Sequence, residues 1–226
     1  LTGFLTARLG LKRLFIVSVV GFTVASMLCG MAETVTEIVL FRWLQGLFGA
    51  ALVPLSQTVL LNINPPQRHG SAMAAWGMAV MAAPILGPVL GGWLTEDYSW
   101  RWVFYINLPV GIVDIVVTSV VLDIPFHRRD HKVDYAGSGL LVAGTSALLL
   151  ALSLGGKAHH SGYAWGSPQI IGLFLIGALL GVAFVAWEGR APEPILPLRL
   201  FRYTVSALAN IIGFILGFTM LGAIVY

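Results

Sequence analysis

Charged residues are placed in this chain so that seven long apolar stretches remain between them. Residues 14–32, 70–95, 135–156, 168–187 and 203–226 contain no Asp, Glu, Lys or Arg. Residues 38–63 contain one charge, Arg42, and residues 102–122 contain one, Asp114. A helix rising 1.5 Å per residue needs roughly 20 residues to cross about 30 Å of hydrocarbon, so each stretch is long enough to span a bilayer. None shows the polar–apolar alternation of a barrel strand, and the pattern predicts spanning helices. A buried soluble core is the competing reading. Seven such runs in succession leave almost nothing to face water: the chain is 58% hydrophobic and 10% charged, with a mean hydropathy of +0.87, where an ordinary soluble domain is about 25% charged. Composition therefore argues against a soluble enzyme, a nucleic-acid binder and a disordered tail. The pI near 9.3 rests on a net charge of only +3. A single cysteine, Cys29, permits no internal disulfide.

Orientation follows from the basic residues. Arg8, Lys12, Arg13 and Arg68, then Arg128, Arg129 and Lys132, then Arg190, Arg199 and Arg202 fall on alternate connections, all on one side. Only Arg101 and Lys157 fall on the other. That asymmetry predicts a multi-pass protein of the plasma (inner) membrane with the residue 1 side cytoplasmic and Tyr226 facing outward. Trp100, Trp102, Trp165 and Trp187 sit at predicted span ends, where an amphipathic ring favours the interface. The chain starts at Leu1 without a methionine and ends in an apolar run, so it is expected to be an internal piece of a protein about twice as long.

A charge inside a spanning helix costs about 2.5–3.5 kcal/mol on insertion scales and marks a functional candidate. Arg42 lies about one turn inside its span, with Gln45, Gly46 and Gly49 following on the same helical face and Gln57 farther along, near that face. An arginine cannot itself bind and release a proton. It can hold an anionic group or shift the pKa of a nearby carboxylate. The alternative is an arginine snorkelling to the outer interface. Asp114, near mid-membrane, either binds and releases a proton or is a structural carboxylate bonded to a serine or threonine. The span 70–95 carries Gly77, Pro84, Gly87, Pro88, Gly91 and Gly92, which predict a bent helix packed tightly against a partner, whereas Gly177–Gly181 and Gly213–Gly217 read as ordinary close packing.

Other chemistry is not supported. His127, Asp130 and His131 could face a metal but read more simply as a solvated loop, as do His159 and His160. No metal site is expected. The chain carries no HExxH, CxxC or P-loop pattern and no Ser/His/Asp set placed by spacing, so neither a cofactor nor enzymatic activity is expected.

Four segments together resemble the major facilitator superfamily, and within it the fourteen-helix branch of drug:proton antiporters. Trp100-Arg101-Trp102-Val103-Phe104-Tyr105-Ile106-Asn107-Leu108-Pro109-Val110-Gly111 is similar at every fixed position to the branch motif WRWxFxINxPxG at the outer start of its sixth helix. The fifth-helix antiporter motif gxxxGPxxGG is met by Gly87, Pro88, Gly91 and Gly92, with Ala83 at its first position. Arg42, Gln45 and Gly46 meet the fourth-helix motif RxxqG, with Phe48 at the next glycine position and Gly49 one residue later. The cytoplasmic gating motif GxLaDrxGrk is met in part by Gly3, Leu5, Arg8, Gly10 and Lys12, with Ala7 at the acidic position and Leu11 at a basic one. Asp134 and Gly137 also resemble the branch.

The resemblance implies an all-α, polytopic membrane protein: a partial major facilitator helix bundle of seven transmembrane helices. Residues 1–124 would be helices three to six of the amino-terminal bundle, 125–202 the two central extra helices with cytoplasmic linkers, and 203–226 the first helix of the carboxy-terminal bundle. It implies a proton-coupled multidrug efflux antiporter that exports hydrophobic or cationic compounds by alternating access. Arg42 would serve proton coupling, Asp114 proton or cation contact, and the Gly87–Gly92 element antiport geometry. The implied partners are protons, a small hydrophobic or cationic substrate and the lipid bilayer, plus a periplasmic adaptor where the host has two membranes, but no nucleic acid. Export of one defined metabolite, such as a sugar, siderophore or antibiotic, is an alternative on the same fold. A non-transporting membrane subunit is another.

Overall fold

The computed structural model describes residues 2–122, 134–156, 162–191, 194–196, 200–201 and 203–225. Among them the chain is helical, apart from one isolated bridge between Gly155 and Tyr163. In order, the helices are α1 (Thr2–Leu9), α2 (Leu11–Met31), α3 (Val35–Gly49), α4 (Leu52–Ile63), a 3-10 turn at Pro66–Arg68, α5 (His69–Asp97), α6 (Trp102–Tyr105), α7 (Asn107–Val121), α8 (Tyr135–Leu154), α9 (Pro168–Glu188) and α10 (Thr204–Val225). Six stretches are long and apolar enough to cross a membrane: Leu11–Met31, Val35–Ile63, Pro66–Asp97, Trp102–Val121, Tyr135–Leu154 and Pro168–Glu188. They coincide with six of the seven expected spans. The seventh is α10, whose apolar portion counts over Thr204–Gly217.

Two expected spans are each built from two helices, and proline explains both breaks. Pro54 is the third residue of α4 and Pro109 the third of α7. Neither has an N–H to give the carbonyl four residues back, and each ring crowds that carbonyl, at Ala50 and Tyr105 respectively. The helices part there, at Ala50–Ala51 and at Ile106. By contrast α5 runs unbroken through Pro84 and Pro88. Starts are fixed by local chemistry. Thr34 and Glu37 form a reciprocal capping box at α3, Ser167 with Pro168 opens α9, and Gly10, at a φ of 86°, makes the turn between α1 and α2 that a side chain would strain.

The chain divides into two compact units, Thr2–His131 and Lys132–Tyr226. In the first, α2 is the central post. Leu11, Leu14 and Phe15 in its first turns pack with Ala51 at the start of α4 and with Leu55 and Val59 along it. Lys12 Nζ donates to the Ser119 carbonyl at the end of α7 (2.8 Å), and at the other end Arg101 Nη2 donates to the Ala32 carbonyl (2.9 Å). Both α3–α4 and α6–α7 therefore run antiparallel to α2. The same pairings gather Arg8, Lys12 and Arg13 at one end, with the Arg68 turn after α4, and leave Arg101 at the other. Glycines allow the close approach: a Cβ on Gly21 would collide with the Phe48 ring, one on Gly30 with the Tyr105 ring, and one on Gly111 with Thr23 Oγ1.

In the second unit α8 and α9 form an antiparallel pair. Gly144 faces Leu180 and the Gly177 carbonyl, while Gly177 faces Leu148. Asp134 caps α8 through the Gly137 N–H (2.8 Å) and accepts from Trp187 Nε1 (3.0 Å). Glu188, 3% exposed, accepts from the backbone N–H groups of Ile195 (3.2 Å) and Leu196 (3.1 Å). Gly181, the other member of the GxxxG pair, faces open space among the described residues.

Of the basic and histidine positions singled out in the sequence, His127, Arg128, Arg129, Asp130, His131, Lys132, Lys157, His159, His160, Arg199 and Arg202 lie outside the described residues. A valine at Gly177 would overpack the α8–α9 contact against Leu148 and is expected to cost about 1–3 kcal/mol, seen as a lower thermal unfolding midpoint in detergent. The same change at Gly181 is expected to leave that midpoint within error, and equal losses at both positions would contradict the packing.

Candidate functional site

Arg42 lies two turns into α3, where its face turns toward α2 and the α6–α7 break. Its Nη1 donates to Gln45 Oε1 (3.2 Å), one turn along the same face, as the i, i+3 spacing predicts. Its guanidinium lies 4.8 Å from the centroid of the Phe104 ring, a cation–π contact. Gln45 is 5% exposed and its Nε2 donates to Ser26 Oγ of α2 (2.9 Å). Asn107 Nδ2, at the first turn of α7, donates to the same oxygen (2.8 Å), and Ser26 gives its own proton to the Phe104 carbonyl (3.2 Å). The Cys29 thiol, fully buried, points at Gln45 Oε1 at 3.9 Å.

Arg42, Gln45, Phe104 and Asn107 line one cavity of about 570 Å³ together with Phe22, Gly46, Gly49, Ala50 and Val103. Arg42 is exposed while its hydrogen-bond partner Gln45 is buried. The wall combines one fixed cation, two side-chain amides and aromatic surface. No acidic residue is among the described residues that line it. Gln57, expected near the Arg42 face, is not among them either, because the break at Ala50–Ala51 separates it from α3. Phe48, which stands where the fourth-helix motif has a glycine, fills the notch left by Gly21.

Asp114 is elsewhere. It accepts from Thr118 Oγ1 (3.1 Å) and lines a second cavity of about 280 Å³ together with Phe15, Ser56, Leu60 and Val117. Trp76 Nε1 of α5 donates to Ser56 Oγ (3.1 Å) at that cavity's edge. The two intramembrane charges are therefore not brought together. The hydrogen bond expected for a structural aspartate is present, and the carboxylate is half-buried beside open volume.

The outer motif builds a joint. Trp100 packs edge-on to Phe104 (6.0 Å between centroids), Trp102 does so to Tyr105 (5.9 Å), and Tyr98 bridges Trp93 and Trp102. Arg101 stacks on Trp100 while capping α2, so this segment pins the ends of α2 and α5 to α6. Pro109 sets the break that turns Asn107 toward α2. At the opposite end Arg8 lies over the Phe4 ring and Lys12 holds Ser119, with Ala7 offering no acid between them.

The antiporter-motif glycines of α5 have no packed neighbour among the described residues. Gly77, Gly87, Gly91 and Gly92 meet nothing within 4 Å of an added Cβ, and no described residue of α5 is buried. The tightly packed partner expected of them is not among the described residues. Glycine permits close approach but does not supply the neighbour.

Sequence reasoning missed Ser26, Cys29 and Phe104 as members of the site. A signal was present: the buried positions of α2 recur every three to four residues and carry Ser18, Thr23, Ser26 and Cys29, small polar side chains on one face of an otherwise apolar span.

The profile of the Major Facilitator Superfamily matches residues 1–226. The chain belongs to this superfamily. It is 36% identical to multidrug resistance protein 3 of Bacillus subtilis over 219 residues, covering 97% of this chain and 42% of that protein. It is 37% identical to the multidrug transporter protein MdtP of the same organism over 226 residues, 100% of this chain and 41% of that protein. Fatty acid resistance protein FarB of Neisseria gonorrhoeae is 38% identical over 221 residues, 95% of this chain and 42% of FarB. The chain thus spans less than half the length of the relatives it matches.

Because Cys29 is fully buried behind Gln45, it is expected to resist N-ethylmaleimide in the folded protein and to react once the protein is unfolded in dodecyl sulfate. Equal labelling before and after unfolding, followed by mass spectrometry, would contradict this arrangement.

Proposed function

We propose that this chain is part of a proton-coupled multidrug efflux antiporter of the inner membrane, exporting hydrophobic or cationic compounds by alternating access. One observation carries the reading: Arg42, Gln45 and Asn107, drawn from two motifs that resemble the antiporter branch, meet through hydrogen bonds at one intramembrane cavity. Relatives named as multidrug transporters support it.

Physically, a transporter of this kind needs a fixed charge that favours one protonation state of a group in its path. A guanidinium stays protonated throughout, so Arg42 acts by holding an anion or by lowering the pKa of a carboxylate that enters its cavity. Proton release then accompanies rearrangement of that carboxylate away from Arg42. Asp114 serves as a second proton or cation contact in its own apolar cavity. The Gly87–Gly92 face of α5 offers a smooth surface on which another helix can slide closely, as rocking between bundles requires. The cluster of Arg8, Lys12, Arg13 and Arg68 at one end supports a cytoplasmic placement of that end.

A second reading is favoured by the relative named for fatty-acid resistance together with a cavity whose described lining carries a cation and no acid: export of an amphipathic anion, its carboxylate held by Arg42.

In proteoliposomes holding the full-length protein, Arg42→Ala is expected to abolish proton-driven ethidium transport while leaving insertion into the membrane intact. Unchanged transport would remove Arg42 from the mechanism. If laurate competes with ethidium or moves in its place, the anion reading gains. Asp114→Asn is expected to reduce substrate-induced proton release, followed with a trapped pH dye; release equal to wild type would assign Asp114 a structural role.

A further inference from the structure

We infer that Ser26 and Asn107 are positioning residues for Arg42, acting through the side-chain amide of Gln45. The inference rests on the reading that Arg42 serves coupling, and it concerns two residues that touch neither proton nor substrate in that reading.

The reasoning starts from the Ser26 hydroxyl, which is fully buried. A hydroxyl has one proton to give and two lone pairs to offer. The proton goes to the Phe104 carbonyl at 3.2 Å, an atom that can only accept. Both lone pairs are taken by amide donors, Gln45 Nε2 at 2.9 Å and Asn107 Nδ2 at 2.8 Å. The hydroxyl's capacity is complete, and each partner's role is forced.

That forcing fixes the Gln45 amide. With Nε2 committed to Ser26, Oε1 must face the other way, where it accepts from Arg42 Nη1 at 3.2 Å and is approached by the Cys29 thiol at 3.9 Å. Turned over, the amide would set its NH2 group against the guanidinium, donor against donor. Its carbonyl would then face a hydroxyl with no proton to spare. Ser26 and the Gln45 amide are both buried, so a mismatch between them is not relieved by solvent and one orientation holds.

Asn107 contributes from α7. Its donor occupies the second lone pair of Ser26 and so keeps the hydroxyl proton on Phe104. Phe104 in turn lays its ring 4.8 Å from the Arg42 guanidinium. The α6–α7 joint therefore grips Arg42 twice, once through the aromatic face and once through the chain Asn107–Ser26–Gln45. An exposed, flexible side chain is held at a set place on the cavity wall by residues on two other helices.

The test measures ethidium transport and pyranine-reported proton movement on the same proteoliposomes of full-length protein, giving protons moved per ethidium. Ser26→Ala and Asn107→Asp are each expected to lower this ratio about three- to tenfold, the loss of one or two hydrogen bonds that orient the cation. Asn107→Asp keeps the shape of the side chain but replaces its donor with an acceptor that competes for the Ser26 proton. A purely structural defect reduces the number of active molecules, scaling both fluxes together, and an unchanged ratio in both variants overturns the inference. Arg42→Ala separates the two levels. If it leaves ethidium transport intact, the coupling role of Arg42 fails; if it abolishes transport while Ser26→Ala and Asn107→Asp keep the wild-type ratio, only the positioning inference fails. Should Ser26→Ala not reach the membrane, the half-buried Asn107→Asp carries the same comparison.

Discussion

Close approach to α2 is the constraint on which the arrangement of residues 2–122 rests. In an apolar medium there is little hydrophobic gain from burying one apolar helix against another, because lipid tails are as apolar as leucine. Helices associate where small residues let backbones and rings interlock. Here three notches do so: Phe48 on Gly21, Tyr105 on Gly30, and Thr23 on Gly111. Each joins α2 to a different part of the chain. Ser26 sits among these contacts and is carried to within hydrogen-bond reach of both Gln45 and Asn107. Without the notches the polar groups would have no partners at membrane depth.

The polar groups then determine what the apolar packing leaves open. A buried amide or hydroxyl without a partner costs more than a satisfied one contributes, so Ser26, Gln45 and Asn107 lock one another and place Arg42 at the edge of a cavity. Asp114 follows a different rule. Among the described residues it bonds within its own helix, to Thr118, at the wall of a neighbouring cavity. One intramembrane charge is tied to residues of other helices and the other to a neighbour on its own helix. Backbone breaks help. The interruption at Ala50–Ala51 lies beside the Arg42 cavity and that at Ile106 aims Asn107 inward, so the prolines that interrupt the helices also shape the site.

Much of this was legible in the sequence. The spacing of charges marked the spans to within a few residues, since the bilayer permits little besides helices of about 20 apolar residues. Arg42 stood out because a charge there is costly, and its pairing with Gln45 followed from helical spacing alone. The resemblance to antiporter motifs pointed at Asn107 and the α5 glycines. Ser26 did not stand out, because a serine in an apolar helix can bond to its own backbone and so bears no obvious signature. Nor could the glycines of α5 reveal their neighbours: a missing side chain marks where a helix can come close and is silent on which one does.

Periodicity and cost therefore let the sequence by itself determine the helices, their alternating direction and the rarity of charge within them. These are one-dimensional properties, set by each segment's own exchange with lipid. Tertiary structure alone decided that Arg42 and Asp114 belong to separate cavities, and that Asn107 reaches Arg42 through a serine on a third helix. Such contacts depend on which notch receives which ring, and that choice is made only when helices distant in sequence meet.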